Sequence, residues 1–279
     1  MSFGDIMAMV LSTKADEPVL AAAQALSKAY DAHVTATLVS FAPQAAYGFA
    51  TAGAAAAAGA WSEPPAVDHR SEHDEELKLM RRLERFPRPV RLEHAHYIEG
   101  PGVELAAVQS RRASVTILLQ PRGAPDAPLR TALFERILYE SGRPVLLMPR
   151  GWRQTSLGRT VLVAWDGSRA ATRAIADAQP LLARAENVFL ITIEGEARGG
   201  LAIADIAAHV RRLGIRCQQH TVPGSERPTS IALQEECEAV GADMMVMGGY
   251  GHSRLQEKLF GGVTQSLVAT SQKPLLMSR

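Results

Sequence analysis

The two halves of this chain end in nearly the same short sequence. Residues 143–150 read Arg-Pro-Val-Leu-Leu-Met-Pro-Arg, and residues 273–279 read Lys-Pro-Leu-Leu-Met-Ser-Arg. In each copy a basic residue and a proline lead into a short apolar run, which is typical of a buried strand. A repeated ending of this kind indicates that the chain folds as two copies of one unit.

The repeat continues back through each half. The matching pairs are the apolar runs 6–11 and 160–165, the second runs 34–39 and 188–193, the later runs 115–119 and 244–247, and the helix-length stretches 129–141 and 262–271. Each first run is almost continuously apolar, as expected of a strand that is covered on both faces. An Ala-rich amphipathic helix follows it. In the second half the apolar positions of this helix are Ala171, Ala174, Ile175, Ala178, Leu181 and Leu182.

Strands that alternate with helices in this way predict an α/β fold with parallel sheets and right-handed crossovers. Each half supplies about five strands and four helices, so we expect two doubly wound domains in tandem, over residues 1–150 and 158–279. The Pro-, Gly- and Arg-containing stretch 149–157 separates them. The first half carries an Ala- and Gly-rich insertion at residues 43–65, which we interpret as a flexible loop or a short Ala helix after the second strand.

Composition restricts the classes of function. The chain has 279 residues, is 47% hydrophobic and has a formal net charge of +1, which argues against a nucleic-acid or membrane-surface partner. No basic-then-apolar leader and no membrane-length apolar run is present, so we expect a cytoplasmic protein. Of the two cysteines, Cys217 and Cys237, we expect the second to be a buried core residue.

The best candidate for a binding site is the glycine-rich segment that follows the fourth strand of the second half. Gly248 and Gly251 bracket its first turn, Gly261 and Gly262 stand at the start of the next helix, and Thr264 adds a hydroxyl to that helix. Ligands of parallel sheets gather at the carboxyl ends of strands. Glycine lets the backbone approach a phosphate, and the free N–H groups of a helix start favour an anion. The segment therefore predicts a phosphate site.

The spacing Gly248-x2-Gly251-x9-Gly261, followed by Val263 and Thr264, resembles the ATP-binding signature of the universal stress protein family. That signature ends in Gly followed by Ser or Thr, and Gly262 stands at the hydroxyl position here. The resemblance covers both halves. It implies two tandem Rossmann-like domains of the adenine nucleotide alpha hydrolase-like type and a role in stress tolerance.

The resemblance also implies a ligand, ATP or a related adenine nucleotide with or without Mg²⁺, and the residues that contact it. The implied adenine and ribose contacts are Ala164, Trp165, Asp166, Ile193, Met247 and Gly248. The implied phosphate contacts are Gly251, Gly261, Gly262, Val263 and Thr264. Simpler roles stay open: Asp166 as a helix N-cap, the glycines as turn formers, and His252 and Ser253 as solvated loop residues.

The first half lacks these features. Aligned on the second strands, Ser12 falls at the position of Asp166, and residues 120–128 contain one glycine and three prolines, which cannot donate an N–H. We therefore expect at most one nucleotide site per chain.

Two further patterns have simpler interpretations. His69 and His73 on a helix and His94 and His96 on a strand suggest zinc, but nothing fixes the pairs in space, and we predict no metal site. The charges of residues 74–85 alternate in sign, which predicts a solvated helix whose inward residues are Leu77, Met80 and Leu83.

Three functions are compatible with the sequence. The favoured one is a nucleotide-responsive binding module; the others are a nucleotide-free scaffold and a slow ATPase in which His252 or Asp166 assists water attack. The Walker-type phosphate loop and the nucleophile elbow are both missing from the sequence, so enzyme activity is not expected. The resemblance implies that the halves pack as a pseudo-symmetric pair through residues 145–148 and 275–277. Whether two chains also form a homodimer stays open.

Overall fold

The fold is taken from a computed structural model, which describes residues 2–42, 69–98, 102–123, 125–153, 157–195, 201–224, 227–249 and 262–279. The insertion predicted at residues 43–65 lies outside these ranges.

Strands and helices alternate along the described part of the chain. The first half contains β1 (Asp5–Val10), α1 (Glu17–Tyr30), β2 (His33–Ala42), α2 (His69–Leu83), β3 (Arg91–Ile98), α3 (Gly102–Ser110), β4 (Val115–Leu119), α4 (Ala127–Glu140) and β5 (Val145–Met148). The second half contains β6 (Thr160–Ala164), α5 (Arg169–Leu182), β7 (Asn187–Ile193), α6 (Ile203–Arg212), β8 (Gln218–Val222), α7 (Thr229–Ala239), β9 (Met244–Gly248), α8 (Val263–Thr270) and β10 (Leu275–Ser278). The predicted pattern of five strands and four helices per half is thus confirmed for the described residues.

The ten strands of the described ranges form one sheet in the order β3-β2-β1-β4-β5-β10-β9-β6-β7-β8. Neighbouring strands are parallel within each half, and the halves meet where β5 and β10 pair antiparallel. Within each half the chain winds outward in both directions from a central strand, β1 or β6. This is the doubly wound arrangement that the alternation of strands and helices predicts.

The pairing of β5 with β10, which we call the seam, is self-complementary. Leu276 lies opposite Leu146, and the flanking pairs are Leu275 with Leu147 and Met277 with Val145. Exchanging the two strands reproduces the same set of contacts, so an approximate two-fold axis passes between Leu146 and Leu276. The predicted pairing of the last strands is confirmed.

Helices cover both faces of the sheet. One buried cluster contains residues of α1, α2, α5 and α6, and the other contains residues of α3, α4, α7 and α8. The six apolar positions predicted for α5 are all at most 3% exposed. Cys237 is buried, as predicted, within α7. Among the helices of the described segments, none has the combined length and apolar character that crossing a membrane requires.

The predicted inward face of α2 is confirmed at Leu83 and wrong at Leu77 and Met80. Leu77 is 39% and Met80 49% exposed, whereas Leu79 and Leu83 are buried. A second apolar row, one turn apart at residues 79 and 83, faces the sheet instead. The side chain of Arg82, beside this row, forms an ion pair of 2.9 Å with Glu17 of α1. This ion pair joins α2 to α1.

Candidate functional site

Three of the predicted site residues lie together at the carboxyl edge of the second half. Ala164 ends β6, Ile193 ends β7 and Met247 lies near the end of β9. These strands are neighbours in the order β9-β6-β7. All three side chains contact the buried cluster shared with α7 and α8, so they lie on one face of the sheet. Ile193 and Met247 are 7% and 5% exposed and Ala164 is partly buried. We call these three apolar residues at the ends of neighbouring strands the apolar wall.

Trp165 does not contribute its side chain to the apolar wall. It belongs to the cluster on the opposite face, is 3% exposed, and its indole Nε1 has no hydrogen-bond partner among the described residues. Its backbone N–H donates to the carbonyl of Ile191 at 2.7 Å. The side chain of Trp165 is therefore a core group.

Asp166 organises the turn that enters α5. Its Oδ1 accepts a hydrogen bond from the backbone N–H of Ser168 at 2.9 Å. Ser168 is the N-cap of α5, because its Oγ accepts the N–H of Ala171 at 3.0 Å. The helix-capping alternative for Asp166 thus applies to Ser168 instead. Within the described residues no second hydrogen bond engages Asp166, so one carboxylate oxygen is available to a ligand.

Gly248, at the end of β9, has no room for a side chain. A Cβ atom built there would lie 2.5 Å from the backbone nitrogen of Ala171 and 2.7 Å from the carbonyl carbon of Ala170. Gly248 therefore lets the first turn of α5 pack directly on the strand. This contact brings the Asp166 turn close to the end of the apolar wall, and it accounts for the glycine without any ligand.

The start of α8 lies at the same edge. Gly262 is the N-cap with φ −51° and ψ 147°, and no side chain of the described residues caps this helix. The carbonyl of Gly262 accepts the N–H of Ser266 at 3.1 Å. Thr264 is buried in the first turn, and Val263 contacts the cluster that contains the apolar wall. A helix start without a capping side chain is a suitable place for an anion.

Other predicted positions cannot be placed. Gly251, Gly261, His252 and Ser253 lie outside the described residues.

Of the four histidines considered for a metal site, the structure describes the side chains of His73 and His94. His94 Nε2 and His73 Nδ1 lie 3.1 and 3.7 Å from the two carboxylate oxygens of Glu76. No group of three metal-ligating side chains is found in the described ranges.

The corresponding edge of the first half is differently built. Ile6 pairs with Val34 as Val161 pairs with Val188, so Leu11, and not the predicted Ser12, takes the place of Asp166. By the same register Leu119 takes the place of Gly248. A leucine fits there because α1 begins at Glu17, one turn later relative to its strand than α5 does.

A buried ion pair fills the space that this later start opens. Asp16 is fully buried, and its carboxylate accepts two hydrogen bonds from Arg130 of α4, at 2.6 and 3.1 Å. Its Oδ2 also accepts the backbone N–H groups of Leu11 and Ser12, at 2.8 and 2.9 Å. The carboxylate of Asp16 thus accepts the backbone N–H groups at the end of β1.

Helix α4 is longer at its start than α8. Ser141 and Ser271 are equivalent, since each hydroxyl donates to the carbonyl two residues later. Thr131 and Ala132 therefore occupy the places of Gly261 and Gly262, inside a continuous helix that begins at Ala127. No glycine break is present in this part of the first half.

Sequence reasoning missed Asp16 and Arg130. A signal was present, because Arg130 shares a helical row with Leu133, Phe134 and Ile137 and so occupies a core position. An arginine in such a row requires a buried acidic partner.

Comparisons with known proteins agree with this architecture. Residues 158–279 match the sequence profile of the Universal stress protein family. No curated protein sequence matches the chain.

Solved structures resemble the chain over its whole length. A universal stress protein from Archaeoglobus fulgidus DSM 4304 is similar over 100% of this chain and 97% of its own, with a TM-score of 0.69 and 17% identity. A functionally unknown protein from Pseudomonas aeruginosa PAO1 is similar over 98% of this chain and 92% of its own, with a TM-score of 0.58 and 13% identity. The cytoplasmic domain of a prokaryotic cation chloride cotransporter is similar over 100% and 96%, with a TM-score of 0.50 and 11% identity. These likenesses concern the fold, which serves proteins of different kinds.

Residues 158–279 therefore form a domain of the Universal stress protein family. The whole chain shares its fold with a universal stress protein of known structure.

Proposed function

We propose that the second half binds ATP or a related adenine nucleotide at the carboxyl ends of β6, β7 and β9. The observation that carries this proposal is the apolar wall of Ala164, Ile193 and Met247, which lies at the same edge as the uncapped start of α8. An apolar surface next to an anion-binding helix start is the combination that a base joined to phosphates requires.

Each group has a distinct role in this proposal. The wall packs against the adenine ring, and the free oxygen of Asp166 accepts a hydrogen bond from the adenine amino group or a ribose hydroxyl. The start of α8 at Gly262, Val263 and Thr264 receives the phosphates, together with Gly251 and Gly261. Trp165 contributes backbone atoms only, since its side chain is buried on the other face. Bound Mg²⁺ would be held chiefly by the phosphates.

One nucleotide binds per chain, because the Asp16–Arg130 pair occupies the edge of the first half. Binding acts as a signal, and the family suggests that the signal serves stress tolerance in the cytoplasm. The two unpaired cysteines, Cys217 and Cys237, are compatible with a reducing compartment.

The test is a measurement of bound nucleotide. The purified chain is heat-denatured, the supernatant is analysed by chromatography, and ATP is titrated into nucleotide-free protein by calorimetry. We expect one site per chain and a weaker affinity in Asp166→Ala. Asp205→Ala, in the first turn of α6, serves as the control and should bind as the wild type does.

A nucleotide-free scaffold is the competing function, and one observation favours it. The backbone of α5 leaves no room for a side chain at Gly248, so glycine is needed at this position even if no nucleotide binds. Absence of nucleotide in the purified protein, together with no heat signal on titration, would establish the scaffold. A slow ATPase is distinguished by release of labelled phosphate above background.

A further inference from the structure

The second glycine of the turn after β9 contacts the other half of the molecule. A Cβ atom built on Gly249 would lie 2.7 Å from Cδ2 of Leu138 and 3.6 Å from its Cγ and Cδ1. Leu138 belongs to the last turn of α4, in the first half, and is 2% exposed. A side chain at Gly249 would therefore require the end of the Leu138 side chain to shift.

Helix α4 also contacts the strand next to this turn. The N–H of Gly249 donates to the carbonyl of Ser278 in β10 at 2.8 Å. The guanidinium carbon of Arg279, the next residue, lies 3.7 Å from the ring centre of Tyr139 in α4. Consecutive residues of α4, Leu138 and Tyr139, thus touch both chain segments that meet at the turn.

The opposite side of the turn is fixed by the second half itself. Gly248 packs against the backbone of Ala170 and Ala171 at the start of α5. The turn is held between two helices, one from each half. Its position relative to the apolar wall depends on both.

At the opposite end of the seam, the two halves are joined by a contact of another kind. Gln120, which takes the place of Gly249 in the first half, donates from Nε2 to the carbonyl of Ser271 at 3.2 Å. A side-chain hydrogen bond thus joins the halves at one end of the seam, and close apolar packing on a glycine joins them at the other. The close packing lies at the edge that carries the proposed nucleotide site.

We propose that Leu138 is a positioning residue for that site. Leu138 of α4 packs against Gly249 and holds Gly248 and Gly249 against the start of α5. The first half thereby influences the nucleotide affinity of the second half. This inference rests on the proposed function. Shortening Leu138 frees the turn to move away from α5 and displaces Met247 from the apolar wall.

The experiment uses the full chain and compares Leu138→Ala with Leu133→Ala. Leu133 lies on the same helix and is buried like Leu138. The three atoms nearest to a Cβ built at Gly249 all belong to Leu138, so Leu133→Ala controls for the loss of packing within α4. Leu138→Val replaces Leu138→Ala if the larger truncation prevents folding. Two quantities are measured: hydrogen exchange of the Gly249 amide without nucleotide, and the Kd for ATP.

We expect faster exchange of the Gly249 amide and an affinity about tenfold weaker in Leu138→Ala than in Leu133→Ala. Gly249→Ala should weaken binding alone, because its Cβ collides with Leu138. Combined with Leu138→Ala it should bind better than the single Gly249→Ala variant, because the collision is removed.

Equal exchange rates and equal Kd values in Leu138→Ala and Leu133→Ala would overturn the inference. If the wild type binds no ATP, the proposed function fails on its own. The exchange data then still decide whether Leu138 positions the turn, because that measurement needs no ligand.

Discussion

At the residue scale, two adjacent glycines lie close to two different neighbours. Gly248 makes room for the backbone of α5, and Gly249 makes room for Leu138 of the other half. From the sequence we expected the backbone at Gly248 to lie close to a bound phosphate, whereas in the structure it lies close to the backbone of α5. The sequence contains no signal for the contact of Gly249, because the partner residue lies 111 positions earlier in the chain and reaches the turn only through the seam.

Gly262 is the residue whose replacement tests the ligand site most directly. Its φ of −51° is open to any residue, so Gly262→Ser fits without strain and places a hydroxyl at the N-cap of α8. We expect the stability to rise by a few tenths of a kcal/mol, about what Ser gains over Gly at an N-cap. ATP affinity should rise about fivefold through one added hydrogen bond to phosphate. Calorimetry and urea unfolding measure the two effects.

Gly151→Ser is the matched control for Gly262→Ser. Apart from its chain neighbours, no atom of the described residues lies within 4 Å of a Cβ built at Gly151, so this replacement should leave affinity unchanged. A Kd for Gly262→Ser equal to or weaker than that of the wild type would show that the start of α8 does not contact a phosphate.

Tyr30 makes stability depend on pH in the alkaline range. Burial raises the pKa of its hydroxyl to about 12, against a weaker opposing effect of Arg184. The folded state therefore holds this proton more tightly than the unfolded state does. Stability is constant below about pH 10, the ordinary pKa of tyrosine, and falls as the pH rises toward 12.

We expect the wild type to lose about 1 kcal/mol between pH 9 and pH 11 because of Tyr30, allowing for its partial exposure to solvent. Tyr30→Phe should lose less over the same interval. At pH 9 it should already be less stable, because it lacks the hydrogen bond from the hydroxyl to the carbonyl of Pro180. Urea unfolding at several pH values measures both quantities, and parallel pH profiles would contradict the prediction.

At the scale of elements, the starts of the helices distinguish the two halves. Helices α1 and α5 begin at different distances from their strands, and α4 begins two turns earlier than α8 relative to the seam. The strands other than β3 and β8 were predictable to within about one residue at most ends, because each is a buried apolar run between polar turns. No bounds were predicted for β3 and β8, whose sequences contain many polar residues. The face of α2 was not predictable, because rows 77/80 and 79/83 are both apolar and the choice depends on the partner α1.

The Asp16–Arg130 pair joins α4 to the start of α1 and should be important for stability. Arg130→Met leaves the fully buried Asp16 without its counter-charge, so we expect a loss of about 3–5 kcal/mol in the free energy of unfolding. Arg136→Met, on the exposed side of the same helix, removes a surface pair with Glu140 and should cost below about 1 kcal/mol. Urea unfolding of the two variants measures the difference, and equal losses would show that the buried pair is not specially important.

At the scale of the whole molecule, the seam turns two five-stranded sheets into one of ten strands. The family resemblance implied which strands meet, and their short, apolar sequences at the end of each half are compatible with such pairing. The sequence did not predict which helices touch across the seam, since Leu138 and Gln120 find their partners only after the two-fold packing has formed.

The self-complementary seam predicts the behaviour of the second half alone. In a fragment of residues 158–279 the edge of β10 is exposed, and a second copy can supply the register that β5 supplies in the full chain. We expect this fragment to form a dimer in sedimentation experiments. Leu276→Lys in the fragment should give a monomer, because the central pair would bring two charges together in an apolar position. A folded wild-type fragment that sediments as a monomer would contradict the prediction.

The antiparallel seam also gives the molecule two unlike rims. Since β5 and β10 run in opposite directions, the strands of the first half end on one rim and those of the second half on the other. In a dimer of identical chains any mutation alters both rims together. In a single chain with two halves, each rim can change by itself. The rim of the first half holds the buried Asp16–Arg130 pair, and the proposed nucleotide site lies on the rim of the second half. A ligand of that site would therefore approach the molecule from one direction.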